Sequence, residues 1–262
     1  MRGLYAIYRK ELGHYFVSPV AYIIVGVFLL LSAYFFNTVL VQLYQRAIEM
    51  EMRAQQFGPA PPIDVPMNVT RQFFDICSTL LLFLSPMLTM GVYSEERKRG
   101  TMELLMTSPV TDTQIVLGKF FASMTLLAIM LLPTVFAFIF MYTHSDPAAP
   151  WRVLLVAYLG IMLFGGMVLS LGSFFSALTE SQLIAAILSF GAVLVLWVVD
   201  FSAPGQSGAL AAVVQYLSFY HHFDLFTRGV IDTSGVIFYL SFIVLGVFLT
   251  VRAVDSMRWR RA

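Results

Sequence analysis

Six apolar runs decide what this chain can fold into. They cover about 19–41, 73–93, 115–142, 153–177, 181–199 and 235–251. A stretch of roughly 20 apolar residues matches the hydrocarbon thickness of a bilayer. Only 12% of the residues are charged and 59% are hydrophobic, where soluble domains carry about 25% charged residues. Lipid offers no partner to backbone amides, so each run reads as a helix that satisfies its own. A membrane β-barrel would show short segments of alternating polarity instead. The expected fold class is an all-α membrane protein, with residues 1–262 forming one transmembrane domain of six spanning helices.

Six crossings put both ends of the chain on one side of the membrane. Eleven of the 16 Lys and Arg residues fall on that side, and Arg46, Arg53, Arg71, Arg152 and Arg228 fall on the other. The positive-inside rule then predicts cytoplasmic termini. The first run is read as retained, because no small-residue cleavage site follows it. A net charge of +1 gives no electrostatic footprint for nucleic acid. A single cysteine, Cys77, excludes an internal disulfide and a thiolate metal cluster.

The connecting segments carry the remaining information. Residues 3–16 place Leu4, Tyr5, Tyr8, Leu12, Tyr15 and Phe16 on one helical arc, with Arg9, Lys10 and His14 elsewhere, and predict an interfacial amphipathic helix. Ser18-Pro19 then restarts the chain as a cap followed by proline. Pro86 and Pro133 lie within spans and predict kinks. Between the second and third runs stands Glu95-Glu96-Arg97-Lys98-Arg99-Gly100-Thr101-Met102-Glu103-Leu104-Leu105-Met106, too charged for lipid and read as a cytoplasmic hinge. Residues 101–106 have room for a short helix whose Met102, Leu105 and Met106 are available for docking; alone it would be marginal, so a partner surface is expected to hold it. Thr111 and Gln114 form a capping-box pattern that starts the third span.

On the opposite side, Gln42–Gln56 can prolong the first span as a helix, and Gly58-Pro59-Ala60-Pro61-Pro62 must be irregular. The segment 200–234 contains apolar pieces too short to span, and reads as short helices dipping into the outer face. Its Tyr220, His221, His222, Asp224 and Arg228 invite a metal reading. Adjacent histidines diverge on a helix, however, so a hydrogen-bonded structural cap is the expected role.

The spans hold almost no ionisable groups; Asp75 lies near an outer end. A proton- or sodium-coupled carrier would show a buried carboxylate or histidine, and an intramembrane enzyme would show paired polar residues. Gly118-Lys119-Phe120 lacks the rest of a phosphate-binding loop. Any ATP-driven work must therefore draw on another chain.

Tyr8-Arg9-Lys10-Glu11-Leu12, the Glu95–Leu105 run and Ser108-Pro109-Val110 resemble the permease subunits of type-2 ABC transporters, the ABC-2 exporters, over nearly the whole chain. The segment Ser218–Asp224, with Arg228-Gly229 and Ile231-Asp232, further resembles the branch of gliding-motility-associated permeases. The resemblance implies an elbow helix containing Arg9, Lys10 and Glu11. It implies a coupling helix drawn from Glu96, Arg99, Gly100, Thr101, Met102, Glu103, Leu105, Met106 and Pro109, with a smaller contact at Glu180. Two ABC ATPase subunits would hold the ATP and Mg, and this chain would bind no cofactor and catalyse no reaction. A second permease protomer, as a homodimer, would complete a path lined by the first, second and fifth spans in a bacterial inner membrane, together with membrane lipids and an auxiliary membrane protein carrying a periplasmic domain. Re-entrant outer helices would lie near 209–217 and 221–228. Export is the implied function; the alternative is mechanotransmission to a lipid, lipoprotein or periplasmic partner without movement of a solute.

Overall fold

Proline and hydroxyl side chains punctuate the helices where the chain changes direction. The computed structural model describes residues 2–58, 64–145, 151–202 and 218–259. Its helices are α1 (Arg2–Val17), α2 (Pro19–Phe57), α3 (Val65–Thr89), α4 (Gly91–Lys98), α5 (Thr101–Met106), α6 (Asp112–Thr143), α7 (Trp151–Leu178), α8 (Gln182–Ser202), α9 (Phe219–Thr227) and α10 (Thr233–Trp259). Asp64 and Ser218 cap α3 and α9 by accepting from the Met67 and His221 amides at 3.0 and 3.1 Å. The Thr111 hydroxyl accepts from Gln114 N, as its spacing predicts. Ser18 occupies the N-cap of α2, but its hydroxyl makes no capping bond, and Pro19 alone sets that start.

Five described helical stretches are long and apolar enough to cross a membrane: Pro19–Gln55, Val65–Lys98, Asp112–Thr143, Trp151–Leu178 and Thr233–Met257. The sixth expected span corresponds to α8, whose apolar part Gln182–Val198 is shorter. The second stretch also corrects the expected loop: α3 bends at Met90 and continues as α4, so Glu95 to Lys98 ride on a helix. The α2 helix prolongs the first span as expected, through 39 residues or about 58 Å. The proline-rich stretch 59–63, and 203–217 with the first expected re-entrant helix, lie outside the described residues.

The centre of the bundle is α7, packed against α3, α6, α8, α9 and α10. Helices in lipid gain little from the hydrophobic effect and associate by close packing at small residues. A Cβ added to Gly160 would lie 2.5 Å from that of Phe226, and one on Gly246 of α10 would lie 2.6 Å from the Ser170 hydroxyl. Gly172 likewise meets Thr89 of α3 with no room for a side chain. An aromatic cluster fills the space between α3, α6 and α7, with Phe73–Phe138 and Phe74–Tyr158 ring centroids 5.1 and 4.9 Å apart in edge-on geometry.

The start of α1 and the last turns of α10 lie at one end of this bundle, with α4, α5 and the start of α6. At the opposite end α9 closes over α7, held by Tyr239, whose hydroxyl donates to Phe219 O at 2.7 Å. The α1 helix packs along the first half of α6 through Ile7, which covers Gly118. Its buried side is therefore Ile7 and Glu11, while Tyr5 and Phe16 of the expected apolar arc are exposed.

Candidate functional site

The bend between α3 and α4 frees backbone groups, and α7 takes them up. The Ser176 hydroxyl accepts from Tyr93 N and Ser94 N at 3.1 and 3.2 Å and donates to Met90 O at 2.9 Å. Both amides are buried, so one hydroxyl pins the arm that leaves the span. Ser176→Ala is expected to cost about 1–3 kcal/mol by orphaning two buried donors, read as a lowered thermal midpoint in detergent.

Lys119 pins the same arm from the other side. It is 2% exposed, although it sits in an apolar stretch of α6. Its Nζ donates to Val92 O at 2.9 Å and lies 3.0 Å from both Glu11 Oε1 of α1 and Glu96 Oε2 of α4. The Tyr93 ring stands 5.2 Å from the same ammonium, at cation–π distance. Lys10 reaches Glu96 at 2.9 Å from the solvent side. Burial opposes the Lys10 charge, but the hydrogen bond and charge of Glu96, with Glu11, outweigh it and raise its pKa above 10.5. Lys10 thus stays charged through neutral pH, and its contribution is lost only as pH rises past the ordinary lysine range. Arg9 is exposed beside it.

The sequence reading counted Lys119 only among the basic residues that set topology, and missed this cluster. The signal was present: Lys119 stands four residues after Ile115 and four before Ser123, on the face of α6 that buries Ala122, Leu126 and Met130.

Beyond α4, Gly100 adopts a left-handed conformation at φ 70°, which side chains disfavour, and turns the chain into α5. The expected docking face of α5 points inward. Met102 is 4% exposed and packs with Tyr93, Val116, Ala177, Ala253 and Val254; Leu105 and Met106 lean on the same cluster. This chain's own α7 and α10 pack against the short helix from its inner side. Its outward side consists of Thr101, Glu103, Leu104 and Thr107, with Pro109 beyond, and Leu104 is 73% exposed. A groove of about 320 Å³ runs between α5 and the ends of α7 and α10, lined by Met106, Leu178 and Met257.

The other expected contacts are engaged within the chain. Glu180 pairs with Arg97 at 3.2 Å, and Arg97 also donates to Ala177 O at 2.8 Å, satisfying a carbonyl at the end of α7. Ser181 supplies the cap of α8, accepting from Ile184 N at 3.4 Å. Arg99 pairs with Glu95, and Thr101 donates to Glu96 O at 3.3 Å.

The outer residues gather on α9. Asp224 joins Arg71 of α3 and Arg228 at 2.7 and 2.6 Å. Tyr220 bonds Asp75; burial first, then the Asp75 and Asp224 charges, push its hydroxyl up to about 12. His222 is buried with its ring 4.6 Å from Phe238, whereas His221 is exposed. Among the described residues no group of three or more His, Cys, Asp or Glu side chains is placed to hold a metal ion.

A family model described as ABC-2 family transporter protein matches residues 5–256, from the start of α1 nearly to the end of α10. The chain belongs to the ABC-2 transporter family. Comparison with curated proteins gave no match. Its family and its five long apolar helices agree in making this ABC-2 permease a multi-pass membrane protein and a transporter subunit.

Proposed function

We propose that this ABC-2 permease couples ATP hydrolysis by a separate ATPase to export across a bacterial inner membrane, with α5 as the coupling helix and α1 as the elbow. Residues 1–262 form one domain of six spans including α8, both termini are cytoplasmic, and two permease copies pair with two ATPases. The gliding-motility-associated resemblance of Ser218–Asp224 belongs to the same proposal and names no cargo.

The observation that carries this reading is the anchoring of the arm. Lys119 ties α4 to α1 and α6, Ser176 ties it to α7, and Met102 ties α5 to α7 and α10. A displacement applied to α5 therefore enters the bundle instead of dissipating in a loop. Leu104, standing outward, is the apolar anchor for the motor. Leu104→Asp is expected to weaken ATPase binding by about 2 kcal/mol, roughly 30-fold, with the thermal midpoint of the permease unchanged. Co-purification titrations check this, and native affinity in that variant overturns the assignment. In vesicles carrying the complex, vectorial movement of an amphipathic cargo supports export. Nucleotide-dependent binding of an outer partner without movement supports mechanotransmission.

A further inference from the structure

A cavity of about 300 Å³ lies where α1 turns into the first span. Its walls come from α1, the first turns of α2, the bend between α3 and α4, and the start of α8. The two halves differ in chemistry. Ala21, Ile24 and Leu88 form a buried apolar floor, and the exposed Val20 and Met87 form the rim beside it. Lys10, His14, Glu95, Arg99 and Gln182 line the other half. The apolar stretch of α2 begins at Pro19, and charge returns on α4 at Glu95. The boundary between hydrocarbon and water therefore passes through the cavity.

Water suits only half of this space. It hydrates the charged wall, but beside the apolar floor it finds no polar partners. A soluble anion fares no better, because the formal charges of the lining cancel: Lys10, Arg99 and Lys119 stand against Glu11, Glu95 and Glu96. A zwitterionic head joined to hydrocarbon meets every wall. The charges also differ in access. Lys119 is enclosed by Glu11 and Glu96, whereas the Lys10 and Arg99 side chains are 57% and 66% exposed and keep N–H donors beyond those their carboxylates take. His14 stands exposed one turn along α1 from Lys10. Glu95 is the most open of the three carboxylates. It pairs with Arg99 and accepts from Gln182 at 3.2 Å, and with about four lone-pair sites a carboxylate has room for a further donor.

We propose that this cavity holds one phospholipid with a phosphoethanolamine head, entering sideways from the bilayer. Its phosphate sits on Lys10, His14 and Arg99, its ammonium on Glu95, and its chains leave past Val20 and Met87. Basic pockets between spanning helices recur as lipid-head sites, and the acidic wall here selects a head that carries an amine. The lipid touches α1, α2 and α4 together, on the open side of the junction that Lys119 closes. It thus bridges the first helix and the arm. The cavity is built by one chain and requires neither nucleotide nor motor, so the site stands or falls separately from the proposed coupling.

Native mass spectrometry of the delipidated full chain tests it, with phosphatidylethanolamine, phosphatidylcholine or phosphatidylglycerol of matched chains added back singly. One phosphatidylethanolamine per chain is expected to stay bound, about ten-fold tighter than phosphatidylcholine, whose methylated ammonium cannot donate to Glu95. Ala21→Phe, which fills the floor, is expected to lower that retention to the phosphatidylcholine level. Glu95→Gln keeps the volume but makes the lining net positive, and is expected to move the preference to phosphatidylglycerol. Labelling of Cys77, which is free and buried, reports whether each variant keeps its bundle. Equal retention of the three lipids by the native chain overturns the site. So does undiminished retention in a folded Ala21→Phe, an unchanged preference in Glu95→Gln, or soluble phosphoethanolamine bound as tightly as the lipid. If Ala21→Phe exposes Cys77, the Glu95→Gln switch decides alone.

Discussion

Replacing Lys119 by methionine is expected to lower the thermal midpoint of the permease by on the order of 10 °C. The substitution removes the buried one of the two ammonium groups, Lys119 and the more exposed Lys10, that bridge Glu11 and Glu96 at the junction of α1, α4 and α6. The two carboxylates then keep only Lys10, on the solvent side, as a counter-charge, and their repulsion in the buried part of the junction is no longer offset. Val92 O also loses its side-chain donor. Removing one partner of a buried ion cluster typically costs about 3–5 kcal/mol, which corresponds to the stated shift for a chain of this size. Neutralising the whole cluster has a different sign. Lys119→Met with Glu11→Gln and Glu96→Gln leaves no unpaired charge in the buried part of the junction, Lys10 standing on the solvent side, and is expected to recover most of the loss, because a buried ion network is not intrinsically more stable than neutral packing. Labelling of Cys77 by a thiol probe during heating reports the transition, since that side chain is buried until the bundle opens. A single variant as stable as the native chain, or a triple variant less stable than the single one, would show that the cluster does not hold the junction.

The bundle was legible in the sequence because lipid removes alternatives: a run of apolar residues can only be a helix, and its length is read directly. The hinge was legible as an exit from the membrane, since its charges cannot stay in lipid. Its internal geometry was not. Periodicity groups Met102, Leu105 and Met106 on one face of α5, but the direction of that face depends on Ala253 and Val254, about 150 residues further on. Lys119 was counted with the basic residues that set topology, and a charge count is blind to burial. The bend at Met90 was foreshadowed by Pro86, yet the hydroxyl that fixes it comes from α7. In each case the local pattern named the parts, and a contact distant in sequence decided which way they faced.

That inward orientation sets the second large effect. Met102→Asp is expected to detach α5 from the bundle, where the same substitution at an outward residue would alter only binding. The Met102 side chain is enclosed by Tyr93, Val116, Ala177 and Val254, so an aspartate there loses the packing of a buried methionine and must either desolvate a charge or leave. Loss of the packing alone costs about 2–5 kcal/mol, and an unpaired buried carboxylate adds to it. Six residues of helix cannot hold their fold against that penalty. The larger cluster around Phe73, Phe138 and Phe164 is separate from this one, so the spans are expected to remain assembled while α5 frays. Limited proteolysis is the direct readout: cleavage between Gly100 and Pro109 should accelerate at least ten-fold in Met102→Asp, with Cys77 still protected. Leu104→Asp, on the exposed side, should be cleaved at the native rate. Equal cleavage in the two variants would mean that α5 is not held by its inner face, and transmission through that contact would fall with it.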